Sequence, residues 1–166
     1  MEEYRIIEGF ENYSISDLGN IRNDQTGRIL KLCLDTEGYN RIRLYKDKIA
    51  STQKVHRLVA NMFLPNPENK KTVDHIDNNK TNNNLINLRW ATLSENAQNK
   101  PLSKRSSSGV KGVSFNKRMN KWKAYIKLDG IIIHLGCYDN LEDAKQARTI
   151  RANEAFGVFT NKCEKI

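Results

Sequence analysis

VDHIDNNKTNNNLINLRWATLSENAQ, residues Val73–Gln98, holds an Asp-His pair and seven asparagines and offers little to a core. Asparagine side chains compete with backbone groups for hydrogen bonds, so a run of them makes turns and caps. The amide oxygen is also a ligand for hard cations. The stretch therefore reads either as a loop that holds only itself or as a loop that holds something else. Short extended runs flank it, Val73 to Ile76 and Asn87 to Ala91, and Thr92-Leu93-Ser94-Glu95 fits a capping box that starts a helix at Thr92. The order is strand, long amide-rich loop, strand, helix. A helix laid across such a hairpin would bring Asn96 opposite Asp74 and His75.

Those residue types suit phosphodiester hydrolysis. The reaction needs a base for water and positive charge at the phosphate oxygens and the leaving oxygen. A histidine of near-neutral pKa suits the first task. An oxygen-bound divalent metal suits the second, and one carboxylate with one amide oxygen leaves Mg²⁺ hydrated enough to take phosphate oxygens.

Upstream, "KVHRLVANMF" (residues 54–63) has helical period, with Val55, Leu58, Val59, Met62 and Phe63 on one stripe, and Pro65 and Pro67 end it. His56 borders that stripe and reads as a structural histidine. Before it, the chain reads as short strands: Ile15, Leu18 and Ile21 surround a Gly19-Asn20 turn. In a later strand Asn40, Ile42 and Leu44 alternate with Tyr39, Arg41, Arg43 and Tyr45, which makes one face aromatic and basic. Such a face suits nucleic acid through Arg41 and Arg43, or else is a half-exposed strand with solvated arginines.

Downstream, residues 97–108 are polar and basic and read as a linker, in which Lys100, Lys104 and Arg105 are candidate phosphate contacts. The last third forms a second structured unit of three strands and a helix. Val113 and Phe115 alternate in the first strand. Trp122, Ala124 and Ile126 alternate with Lys121, Lys123, Tyr125 and Lys127 in the second. Asp129-Gly130 signals a hairpin, after which Ile133 and Leu135 should face inward, with Ile132 and His134 outward. Asn140 caps a helix that ends at Gly157, with a narrow stripe of Leu141, Ala144, Ala147 and Ile150.

Charge agrees with a polyanionic partner. The net charge is +9, with residues 1–52 holding 8 basic and 9 acidic side chains, residues 53–108 holding 9 and 4, and residues 109–166 holding 11 and 6. The excess lies in the last two thirds, where a phosphate-binding face is to be sought. Apolar residues make up 38% of the 166, too few for one large core. Cys33, Cys137 and Cys163 form no CxxC pair, which argues against a zinc ribbon or a disulfide framework. With no secretory segment and no apolar run long enough to cross a bilayer, an intracellular, soluble protein is expected.

Residues 73–98 resemble the His-Asn-His (HNH) nuclease motif in its phage homing-endonuclease form. "VHRLVANMFLPNPENK" before it resembles the same group, and "EEYRIIEGFENYSISDLGNIRN" resembles the N-terminal NUMOD-type module of those enzymes. The resemblance implies His75 as general base, Asp74 and Asn96 as metal ligands, and Asn87 as the brace of the loop. For Asp77, Asn78, Asn82, Asn83 and Asn84 a loop-forming role is expected. Residues 107–157 resemble the plant ethylene-response-factor DNA-binding domain. Its groove-facing positions fall on Lys111, Ser114, Lys117, Lys121, Lys123, Lys127 and His134, and Trp122 falls on an inward position. Lysine, serine and histidine there make arginine-type guanine readout less available.

The expected molecule is an α+β chain of small modules. These are a β-rich NUMOD-type module (1–52), an HNH ββα-metal nuclease (53–99), a basic linker (100–108) and a DNA-binding unit with a three-stranded sheet and one helix (109–166). It would nick one strand of double-stranded DNA as a monomer with one Mg²⁺ or Mn²⁺ per active site. It would use no small-molecule cofactor and no membrane, in the cytoplasm of a phage- or virus-infected host cell. The alternative is a non-catalytic DNA-binding regulator with a decayed nuclease unit.

Overall fold

The computed structural model describes all of residues 1–166. By contacts the chain divides into two compact units, Met1–Thr92 and Leu93–Ile166. The first unit contains two three-stranded antiparallel sheets. One is β1 (Tyr4–Ile7), β2 (Phe10–Ser16) and β3 (Ile21–Asn23); the other is β4 (Cys33–Leu34), β5 (Asn40–Lys46) and β6 (Ile49–Lys54). Helix α1 (Val55–Phe63) follows, then the hairpin of β7 (Thr72–His75) and β8 (Leu88–Ala91). The nuclease-like segment and the N-terminal segment are not separate bodies. Ile7, Ile15, Ile21, Ile42 and Leu44 share one core with Val55, Leu58, Val59, Val73 and Leu88. Each large aliphatic residue buried there contributes about 1.5–3 kcal/mol relative to exposure. Strands of two to seven residues cannot bury two faces alone, so the sheets and α1 cover one another.

The expected alternation in β5 is present: Ile42 and Leu44 are buried while Arg41, Arg43 and Tyr45 are exposed. Tyr39 does not follow it and turns inward, as described below. Leu18, at the β2–β3 turn, is exposed rather than packed with Ile15 and Ile21.

The second unit begins with the short helix α2 (Leu93–Gln98) and continues into the sheet β9 (Val113–Asn116), β10 (Lys121–Leu128) and β11 (Ile131–Tyr138), in the order β11-β10-β9. Helix α3 (Leu141–Phe156) lies on this sheet. Asn140 accepts a hydrogen bond from the Asp143 N–H at 2.8 Å, and Gly157 ends the helix at φ 50°.

Three expectations change in this unit. The buried side of α3 is Ala144, Arg148, Ala152 and Phe156, and Ile150 is exposed. The rotation follows from Arg148, whose guanidinium pairs with the buried Glu164 at 2.9 Å. Ile133 is exposed although it pairs with the buried Ile126, whereas Leu135, at the slip of register opposite Ala124 and Tyr125, packs inward as expected. Phe115 is exposed and meets Trp122 edge to face at 5.0 Å.

The residues after α2 are not a free linker. Asn161 donates to the Asn99 carbonyl, both residues being buried, and Lys111 Nζ donates to the carbonyls of Gln98 (2.9 Å) and Lys100 (3.0 Å). These bonds explain why α2 groups with the C-terminal unit rather than with residues 53–92. No helix is long and apolar enough to cross a membrane.

Candidate active site

His75 is the last residue of β7 and pairs across the hairpin with Leu88; Asp74 pairs with Arg89. Both are buried, at 5% and 4% exposure. That register delivers the Arg89 guanidinium to Asp74, whose Oδ2 accepts from Nε at 2.8 Å and from Nη2 at 2.6 Å. A carboxylate this deeply buried needs such a partner.

The amide-rich loop is tied by its own side chains. Asn87 donates through Nδ2 to Asp77 Oδ1 and to the Asn82 carbonyl, both at 2.9 Å, and its Oδ1 accepts the Asp77 N–H at 3.0 Å. The Ile76 N–H donates to the Asn87 carbonyl at 2.9 Å. Asn82 Nδ2 donates to Asp77 Oδ2 at 2.7 Å, Asn79 Oδ1 accepts from Thr81, and Asn84 caps a turn of 3₁₀ helix at Leu85–Asn87. Asn78 stands at φ 64°, a conformation asparagine tolerates. Burial pushes the Asp77 carboxyl up, but the bonds from Asn82, the Asn79 N–H and Asn87 outweigh it and hold the pKa below the usual range. The residues between the strands thus form a rigid scaffold under His75.

Around the imidazole stand three side chains that the sequence does not mark as part of this site. Asn83 is 4% exposed, and its Oδ1 lies 3.3 Å from His75 Nε2. His56 on α1 meets the His75 ring nearly edge-on at 5.0 Å between centroids. Tyr39 lies 4.8 Å from His56 and 5.8 Å from His75. The ammonium groups of Lys54 and Lys80 sit over the Tyr39 ring at 4.7 and 4.6 Å. Burial lowers the His75 pKa, against the bond to Asn83 and the charges of Asp77 and Asp74, so the imidazole is neutral at neutral pH. His56 is lowered to about 3 by burial and then by His75 and nearby cations. Its Nδ1 is buried without a hydrogen-bond partner.

Asn96 lies half-buried on α2 in the second unit. Among the candidate nucleic-acid contacts, Arg41, Arg43, Lys100, Lys104, Arg105, Ser114, Lys117, Lys127 and His134 are exposed. Lys123 is half-buried, and Lys121 pairs with Asp139 at 3.0 Å. Lys111 is a correction. Its Nζ pairs with the buried Glu164 at 2.8 Å besides holding two carbonyls, so its charge is spent inside the protein.

Family models match two segments: a NUMOD4 motif over residues 2–45 and an HNH endonuclease over residues 53–98. The HNH endonuclease L247 of Acanthamoeba polyphaga mimivirus, itself uncharacterised, is 47% identical over 95 residues, covering 55% of this chain and 24% of that protein. The DNA endonuclease I-HmuI of Bacillus phage SP01 is 41% identical over 98 residues, covering 58% of this chain and 56% of that protein. The matches thus span less than two thirds of either curated relative. A solved structure described as DNA binding and cleavage by the HNH homing endonuclease I-HmuI superposes with a TM-score of 0.56 at 32% identity, over 93% of this chain and 83% of that one.

Proposed function

Because the chain belongs to the HNH endonuclease family, we propose that it hydrolyses phosphodiester bonds in double-stranded DNA, nicking one strand per binding event as a monomer. The observation that carries this reading is the neutral, buried His75 imidazole at the end of a strand, on a loop made rigid by Asn87 and Asp77. In this reading His75 takes the proton from the attacking water, and Asp74 and Asn96 hold one Mg²⁺ or Mn²⁺. A carboxylate has about four acceptor sites on its two oxygens, so Asp74 can keep Arg89 and still ligate a hydrated cation. One carboxylate and one amide suit a hard ion that retains water, and no cluster of three or more His, Cys, Asp or Glu side chains offers a soft-metal cage. When bound, the ion supplies positive charge to the phosphate and the leaving oxygen.

Arg41 and Arg43 in the first unit, and Lys100, Lys104, Arg105, Ser114, Lys117, Lys121, Lys123, Lys127 and His134 in the second, are the proposed DNA contacts, Lys111 being excluded. The sheet β9–β11 is proposed to enter a groove in the manner of the ethylene-response-factor domains. The Arg89–Asp74 pair is the one observation that favours the alternative, a module that binds DNA without cutting it. Conversion of supercoiled plasmid to open circles in Mg²⁺, abolished by EDTA, is the expected result. Binding without conversion in either Mg²⁺ or Mn²⁺ would establish the alternative.

A further inference from the structure

Resting on the sheet β9–β11 as a face that enters a DNA groove, we propose that Ile132 is a specificity-determining residue. Its side chain meets the C5-methyl group of a thymine, so the sites this chain prefers carry thymine at that position.

The two faces of the sheet differ. Ala124 and Ile126 of β10 are buried in the cores that α3 closes with Ala144, Ala152 and Phe156. Tyr125 and Lys127 alternate with them, are exposed, and stand on the opposite face. Register places Ile132 across from Lys127 and His134 across from Tyr125, so these four share that face. Ile132 is 67% exposed there. The exposed Tyr125 is its diagonal neighbour, at a separation an aromatic side chain spans. Isoleucine and tyrosine thus make an apolar spot, framed by Lys123, Lys127 and His134. The frame decides the occupant. Residues 109–166 carry 11 basic and 6 acidic side chains, which attract a polyanion and repel a second copy of the same face.

Base-specific chemistry on this face is narrow. Strands β9, β10 and β11 carry no arginine and no glutamine. A bidentate adenine contact needs an amide oxygen and nitrogen together, and the Asn116 oxygen already accepts the N–H groups of Arg118 and Met119 at 3.0 and 3.2 Å. Lys121 pairs with Asp139. The Ser114 hydroxyl serves several bases without choosing among them. Lys123 and Lys127 reach phosphates, which fixes the depth and register of the sheet but carries no sequence information. What remains is apolar contact, and the apolar group on a base edge in the major groove is the thymine methyl. Ile132 gains by covering that methyl. Over cytosine it would instead strip water from an amino group without replacing the hydrogen bond.

The test is a selection of the preferred duplex from a randomised pool by the full chain in EDTA, where no cleavage occurs, followed by gel-shift titration of the selected duplex. Each thymine is replaced in turn by deoxyuridine, which removes the methyl and nothing else. The expected result is one thymine whose replacement weakens binding about fourfold, the scale of one buried methyl group. Ile132→Ala is expected to lose about as much on the parent duplex and to bind the thymine and deoxyuridine duplexes equally. Lys127→Ala is expected to weaken both duplexes alike and to keep their ratio. Deoxyuridine without effect at every position overturns the proposal, as does a selected pool without sequence preference. So does an Ile132→Ala variant that still tells thymine from deoxyuridine. A concentration-dependent dimer that Ile132→Ala dissolves also overturns it, since a second copy then covers the face. Each of these leaves DNA binding itself standing, whereas failure to bind any duplex removes the DNA reading on which the proposal rests.

Discussion

Lowering the pH from 7.5 to 5 should destabilise the first unit through His56. This residue is 5% exposed and its pKa falls from 6.5 to about 3 in the folded chain. The unfolded chain therefore takes up a proton near pH 6.5 that the folded chain refuses until about pH 3. Stability from this group is complete above 6.5 and is lost as the pH falls toward the folded value. At pH 5 the unfolded group is about 1.5 units below its own pKa, and at about 1.36 kcal/mol per unit the loss is about 2 kcal/mol. His75 is shifted in the same direction and adds to the loss. The carboxylates do not interfere in this window. Asp24, Asp35 and Asp77 have pKa values lowered from 3.8, and Glu2 and Glu11 from 4.5, so their stabilisation is lost mainly below pH 5. The measurement is urea unfolding at both pH values in a Trp122→Phe background, where the fluorescence of Trp90 reports the first unit. With a urea slope of about 2 kcal/mol per M, the midpoint should fall by at least about 1 M. His56→Phe should remove about that much of the shift, and at pH 7.5 it should be neutral or stabilising because the unpartnered Nδ1 goes. Equal midpoint shifts in His56→Phe and the parent would refute the reasoning.

His75→Ala should slow plasmid nicking by about 10²–10⁴-fold, with DNA affinity little changed in gel-shift titrations, since the imidazole acts on water rather than on phosphate. Glu164→Ala should destabilise the second unit by about 3–5 kcal/mol in unfolding followed by Trp122, because it leaves Arg148 and Lys111 charged without their buried carboxylate. Lys123→Ala and Lys127→Ala should each lower the log-log salt slope of DNA binding by about 0.9, whereas Lys111→Ala should leave the slope unchanged and lower stability instead. Gly19→Ala should cost about 1–3 kcal/mol in urea unfolding from its positive φ alone.

The strand–loop–strand order around the Asp-His pair was legible because it rests on local rules. Alternation sets β5, apolar period sets α1, Asn140 and Gly157 bound α3, and amides make the loop. Observed strands β7 and β8 start or end within one residue of the expected runs. Periodicity says which residues are inward-facing, but not what they meet. His56 reads as structural from its place beside an apolar stripe, and only the packing of α1 on the hairpin sets its ring against His75. Asn83 is one asparagine among seven in its stretch, and nothing in the pattern sets it, rather than another, against His75 and the turn at Gly19. Tyr39 alternates correctly for an exposed strand face, yet the start of β5 turns its ring onto the two histidines. In the second unit, Lys111 is expected at a groove-facing position, and nothing in the pattern marks Arg148. Glu164, close to the end of the sequence, draws both inward, rotates the buried side of α3, and leaves α2 bound to the C-terminal unit. Local pattern carries the elements, because backbone sterics and burial act over a few residues. Ion pairs, ring contacts and the unit boundary join residues far apart in the chain, and only the folded arrangement decides them.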